Sequence, residues 1–303
     1  PKELFDNLGN EPAIRRAFRL WIEDYLIDDS NKINELIRAT ISDTSIEGYW
    51  ADEILIAVFK SDNCGSFFSA FEKDLLDSKT YFHFLNRCMH LIKTACKESS
   101  LNRNNFSILL PIGSGWREMM SFMRRHINEL NFLSRSICNF LSDWNYRLMF
   151  QSSQTEEQEK VDAKEIVLHY LKQVESGDEN WENEFMKDMP KELVSILFQL
   201  APIAKSEIEE LIERAFKNKE DRNSWKLSSF YEKVIDSCIS GLGNHVLIKE
   251  LPELVVQTAW REWKPRKIVE DPEYRSISSR IRGNRLDGDE CWGLGSKHDF
   301  FPS

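Results

Sequence analysis

His83, Cys88, His90 and Cys96 group four side chains of the types that bind zinc in one short stretch. Four-coordinate zinc needs ligands that converge, usually as closely spaced pairs. On a helix, His83 and His90 share a face but stand about 10 Å apart, and Cys88 is rotated by roughly 140° from His83. Core thiols and hydrogen-bonded histidines are therefore the expectation. Phosphate binding is the next chemistry to weigh, at Gly113-Ser114-Gly115. A Walker A loop ends in Gly-Lys-Ser/Thr, so that the lysine reaches the phosphates and the hydroxyl holds Mg²⁺. Here Trp116-Arg117 follows instead, and Gly241-x-Gly243 and Gly293-x-Gly295 lack the third glycine and the preceding strand. Cys238 with His245, or Ser296 with His298, would be nucleophile–base pairs, but neither sits in a motif such as the GxSxG elbow. His298-Asp299 resembles a phosphohydrolase dipeptide without its partner histidines. Asp287, Asp289 and Glu290 do not have a calcium-loop spacing. No catalytic, cofactor or metal residue is assigned.

The patch with most chemical content is basic. Arg261, Lys264, Arg266, Lys267, Arg275, Arg280, Arg282 and Arg285 lie among Trp260, Trp263 and Tyr274. Guanidinium groups and flat rings grip phosphates and stack on bases. The same residues dock equally well on an acidic neighbour, and the net charge of −10 makes the rest of the chain such a neighbour. Docking within the polypeptide or on a partner protein ranks first, and nucleic-acid binding by 261–285 is the alternative.

The elements that carry these residues read as helices. Glycine and proline are scarce and acidic helix formers plentiful, a balance that favours helix over sheet. Glu11–Ile27 carries the stripe Ile14, Ala17, Phe18, Trp21, Ile22, Tyr25 and Leu26, and Asp28–Asn31 ends it and caps the next helix. Similar stripes run through Ser45–Lys60, Ser78–Glu98, Val161–Glu175, the segment after Pro190, Ser206–Lys217, Lys226–Leu242 and Leu251–Trp263. The widest lies in Trp116–Trp144, one helix or two meeting near Asn128–Asn131. Gln151–Lys160 is the most polar stretch and reads as a linker. The expected fold is all-α: a multi-helix array of antiparallel helix pairs, HEAT-like or an irregular α-solenoid. It divides into an N-terminal helical subdomain at 1–150 and a second at 151–263. A basic, glycine-containing tail at 264–303 leads to a further domain.

Nine tryptophans and nineteen phenylalanines offer much ring surface for a core. The six cysteines form no CxxC pair, and Cys88 and Cys96 on one helix are about 12 Å apart, too far for a disulfide. They read as reduced thiols of a cytoplasmic protein. No apolar run reaches the roughly 18–20 residues of a membrane span. The first residue is Pro1 rather than Met, and the reading is of a piece of a longer protein.

The order of helices, the phrase FLSDW at Phe140–Trp144 and the closing WGLGSKHDFFPS at Trp292–Ser303 resemble one known family. It is the helical region beyond the nucleotide-binding core of large bacterial STAND NTPases, the NACHT-like antiviral proteins of Avs type. In that family an effector and a Walker-type ATPase lie upstream, and helical repeats downstream bind a phage protein and drive oligomerisation. The resemblance implies a non-catalytic sensor or connector segment for protein recognition. ATP and Mg would belong to the parent protein, with the polypeptide's own domains and a phage protein as partners, and oligomerisation through the parent. No ATPase residue can be carried onto this sequence, and no TPR-type signature is present.

Overall fold

In a computed structural model, the structure describes residues 11–42, 48–76, 82–101, 115–151, 157–177, 189–219, 225–240 and 245–263. Among these residues it is all-helical, with fourteen helices and no strand. The helices are α1 (Pro12–Tyr25), α2 (Ser30–Ser42), α3 (Gly48–Lys60), α4 (Cys64–Ala70), α5 (Glu72–Leu76), α6 (Phe82–Leu101) and α7 (Gly115–Arg125). They continue as α8 (Ser134–Gln151), α9 (Glu157–Ser176), α10 (Met189–Gln199), α11 (Lys205–Asn218), α12 (Trp225–Ile239), α13 (His245–Glu250) and α14 (Pro252–Trp263).

Two helices are buried nearly all round, which is what an apolar sequence without a polar face requires. In α3 every residue from Ile54 to Phe59 is buried, and α1, α2, α6, α4 and α7 pack around it. Both of its carboxylates are matched: Asp52 by Arg87, and Glu53 by Arg19 at 3.2 Å. A charge beside a core needs such a partner. In α10, Leu193, Val194 and Ile196–Gln199 are buried, and α8, α9, α12 and α13 surround it. Pro190 lies in its first turn, where a missing N–H costs nothing.

The first core is built of rings. Phe67 meets Phe59 at 5.5 Å, Phe68 at 5.3 Å and Phe71 at 5.0 Å, and Phe68 passes the contact to Phe122 at 5.5 Å. Trp116 lies 4.4 Å from Phe140. Gly115 opens α7 where a Cβ would come within 3.1 Å of the Phe59 carbonyl oxygen and 3.3 Å of Ile92, so a glycine lets the helix start against α3 and α6.

Several expectations can be placed. The Trp116–Trp144 stretch is two helices: α7 ends at Arg125, a turn and a 3₁₀ turn at Asn131–Leu133 follow, and α8 begins at Ser134. The polar Gln151–Lys160 stretch is helical at both ends, since α8 reaches Gln151 and α9 starts at Glu157. α9 closes on Gly177, whose φ of 73° is the left-handed stop that glycine supplies without strain. α13 was not anticipated, because six residues are too few to show a period. Packing of α9 on α7 and of α10 on α8 crosses the expected 150/151 division. The chain divides into two compact units, Pro1–Pro252 and Glu253–Ser303. In the second, the structure describes residues 253–263, within α14, and the tail 264–303 lies outside the described residues.

Candidate functional site

The residues singled out for chemistry fare unevenly. Cys88 is fully buried, and burial drives its thiol well above the ordinary value. Burial likewise pushes Cys138 up to about 12. Both are thiols at neutral pH, and the thiolate is the nucleophile and the metal ligand. Cys64 and Cys238 are buried as well, while His90 and His245 are exposed. The side chains of His83 and Cys96 lie outside the described residues. Among the described residues, no three His, Cys, Asp or Glu side chains gather as a metal site. The second glycine of Gly113-Ser114-Gly115 has a packing role, described above, and residues 111–114 lie outside the described ones.

Of the basic patch, Arg261 is on α14 and exposed, four residues beyond Gln257 on a helix whose Val256 and Trp260 are also exposed. Lys264, Arg266, Lys267, Arg275, Arg280, Arg282 and Arg285 lie outside the described residues, as do Asp287, Asp289, Glu290, Ser296 and His298.

Several polar groups tie helices together. Arg124 of α7 spans Asp162 at 2.9 Å and Glu165 at 2.8 Å on α9, and Gln158 also donates to Asp162. The second Asp162 carboxylate oxygen is buried without a hydrogen-bond partner among the described residues. Gln173 lies 2.9 Å from both Asn131 and His169, linking α9 to the 3₁₀ turn. Burial and the nearby Lys172 charge hold His169 below its ordinary value, so the ring is neutral at pH 7. Glu175 at the end of α9 takes two bonds from Arg214 of α11, at 3.0 and 3.3 Å, and one from the Tyr231 hydroxyl of α12 at 3.0 Å. Among the described residues none of these clusters presents a nucleophile, base and open space together.

What remains is a surface. α1 packs chiefly on α3 through Phe18 and Ile22. Its opposite side carries Ala13, Ala17, Leu20, Trp21 and Asp24, all exposed. Tyr25 stands at the flank in the last turn. Steps of three and four put these residues in one continuous seam. Leu20 is 47 % exposed, Trp21 44 % and Tyr25 77 %, the three large apolar side chains of this helix left in solvent. Trp21 and Tyr25 belong to the apolar stripe that also carries the buried Phe18 and Ile22. The stripe is wide enough for two partner helices, and α1 has one principal partner. That excess width is the signal that marks the face.

No protein-family model matches the sequence, and no curated protein matches it. Among the described residues no helix is long and apolar enough to cross a membrane.

Proposed function

We propose that this chain is a non-catalytic helical scaffold that recognises another protein and relays that contact through its packed helices. The observation that carries the reading is the α1 seam, where Leu20, Trp21 and Tyr25 stay exposed beside Ala13 and Ala17. Tryptophan and tyrosine dominate binding energy at protein interfaces, and clustered exposed apolar side chains mark interaction sites more often than scattered ones. The cores support the relay half: α3 and α10 each touch four or more helices, so a push on one element is felt by its neighbours.

We place this scaffold in the sensor or connector region of a STAND NTPase of antiviral defence. The support is the resemblance of short phrases. One of them, Phe140–Trp144, holds three fully buried core side chains, so packing accounts for part of its character. The buried cysteines Cys64, Cys88, Cys138 and Cys238, none of them in a disulfide, fit a reducing compartment such as the cytoplasm. On this reading ATP and Mg act in the parent protein, and a phage protein is the partner.

Two experiments separate the parts. Proteins retained from a host lysate by the wild-type chain and by Tyr25→Ala should differ, with unchanged melting temperature; identical retention profiles overturn the recognition reading. ATP hydrolysis by the longest protein carrying this chain should rise with lysate from phage-infected cells and lose that response when residues 1–303 are deleted. A parent protein with no nucleotide activity removes the STAND assignment and leaves the scaffold.

A further inference from the structure

The α1 seam also carries a charge pattern that names the chemistry of its partner. An α-helix ends in carbonyl groups that carry about half a negative charge, and basic side chains are favoured in the last turn. α1 has none there. It has Glu23 and Asp24 instead, and Asp28 and Asp29 follow in the turn. Two of these four carboxylates are matched within the fold. Glu23 pairs with Lys60 at 2.6 Å, and Asp29 pairs with Lys32 at 2.8 Å while accepting the Lys32 backbone N–H at 3.1 Å. Asp24 and Asp28 are exposed. Asp24 falls in the apolar seam itself, one turn beyond Leu20 and three residues beyond Trp21. An open depression is lined by Tyr25, Leu26, Asp28, Asp29, Ser30, Asn31 and Lys32, and since Lys32 is taken up by Asp29, Asp28 is its unmatched charge.

Asp29 caps α2, whose N-terminal dipole favours it and Asp28, so Asp24 is the carboxylate that lies in the last turn of α1 against an unfavourable dipole. A cation beside Asp24 relieves that repulsion, and the exposed ring of Tyr25 next to Asp28 offers a face to the same kind of group. Resting on the recognition reading above, we propose that the outward face of α1 docks a segment of a partner protein that presents apolar side chains followed by lysine or arginine. The apolar part lies on Ala17, Leu20 and Trp21. The cationic head reaches Asp24, Asp28 and the depression beside Tyr25.

The test uses the full chain and two synthetic amphipathic peptides with the same leucine positions, one filled out with lysine and the other with glutamate. Binding is measured by calorimetry at low and moderate salt. The leucine–lysine peptide is expected to bind and the leucine–glutamate peptide not to. Tyr25→Ala, and the pair Asp24→Asn with Asp28→Asn, should each weaken binding by about tenfold, the loss of one interface anchor. Glu209→Gln with Glu213→Gln removes the same charge from exposed positions on α11 and should change little. If this control weakens binding as much as the α1 pair does, attraction to the net negative chain explains the result and the proposal fails. Equal binding of both peptides, or none of the lysine peptide, also overturns it. If Tyr25→Ala matters while the aspartate pair does not, the recognition surface stands and its cationic partner class is wrong.

Discussion

The two buried helices, α3 and α10, occupy similar positions in their surroundings but are held by different chemistry. Around α3 the core is aromatic: Phe59, Phe67, Phe68, Phe71, Phe84 and Phe122 form a chain of ring contacts, and Gly115 lets α7 approach closely. Around α10 aliphatic side chains predominate, with Ile166, Val167, Leu197, Ile208, Leu211, Ile212, Val234 and Ile235 buried beside the separate rings of Tyr170, Phe198, Phe140 and Trp144. At its edge a polar junction of Glu175, Arg214 and Tyr231 binds three helices. Ring contacts are large and directional, so a single deletion there removes much at once. Aliphatic side chains re-pack more easily, and specificity in that half falls to the hydrogen-bonded junction.

The sharpest break in this contrast is at Phe67, which is 1 % exposed and touches four other rings. Phe67→Ala should cost about 3–5 kcal/mol by denaturant unfolding. The matching aliphatic deletion, Ile212→Val, should cost about 0.5–1.5 kcal/mol. Similar losses after both, once the size of each deletion is allowed for, would erase the distinction. Glu175→Ala probes the junction. It leaves the Tyr231 hydroxyl without its acceptor and Arg214 without its main partner, and should cost about 1–3 kcal/mol. A double-mutant cycle with Tyr231→Phe should show coupling, because the two residues share one bond. Strict additivity would mean the junction is ornamental. Gly115→Ala should be milder, a cost of about 1 kcal/mol from overpacking against Phe59, offset in part by helix propensity.

How much of this was legible beforehand depended on the range of the signal. α1, α3, α9 and α11 announced themselves through three- and four-residue steps, a property of each segment alone. The break between α7 and α8 was legible at Asn128–Asn131 because polar residues interrupt the stripe there. The junction was not: Arg214 and Tyr231 lie 39 and 56 residues from the Glu175 carboxylate they share, and nothing in the local pattern links them. The α1 face was half legible. Its apolar width was plain, but whether Trp21 and Tyr25 meet a neighbour depends on where α3 lies, which only the assembled helices decide. The basic patch was the best chemical candidate in the sequence, yet the structure describes just Arg261 of its members.

The smallest expected effect separates the halves by pH. Burial, followed by the Glu175 charge and its hydrogen bond, raises the Tyr231 hydroxyl to about 12. An unfolded tyrosine titrates near 10. Between roughly pH 10 and 12 the unfolded chain has therefore lost a proton that the folded chain keeps, and stability falls as pH rises through that window. Below about pH 10 the contribution is fully present. Tyr170, raised further by burial and the neighbouring Cys138, acts in the same direction, as do the buried thiols of Cys88 and Cys138. Alkaline destabilisation is thus common to the whole unit, and the comparison must be of slopes. In Tyr231→Phe the fall in unfolding free energy from pH 10 to 12 should be shallower than in wild type, while the slope below pH 9 stays the same. The slope should also flatten in Glu175→Gln, because removing the carboxylate charge lets Tyr231 ionise closer to its ordinary value. An unchanged slope in both variants would mean that water reaches the junction freely, and the polar tie around α10 would then lose its claim to be a buried one.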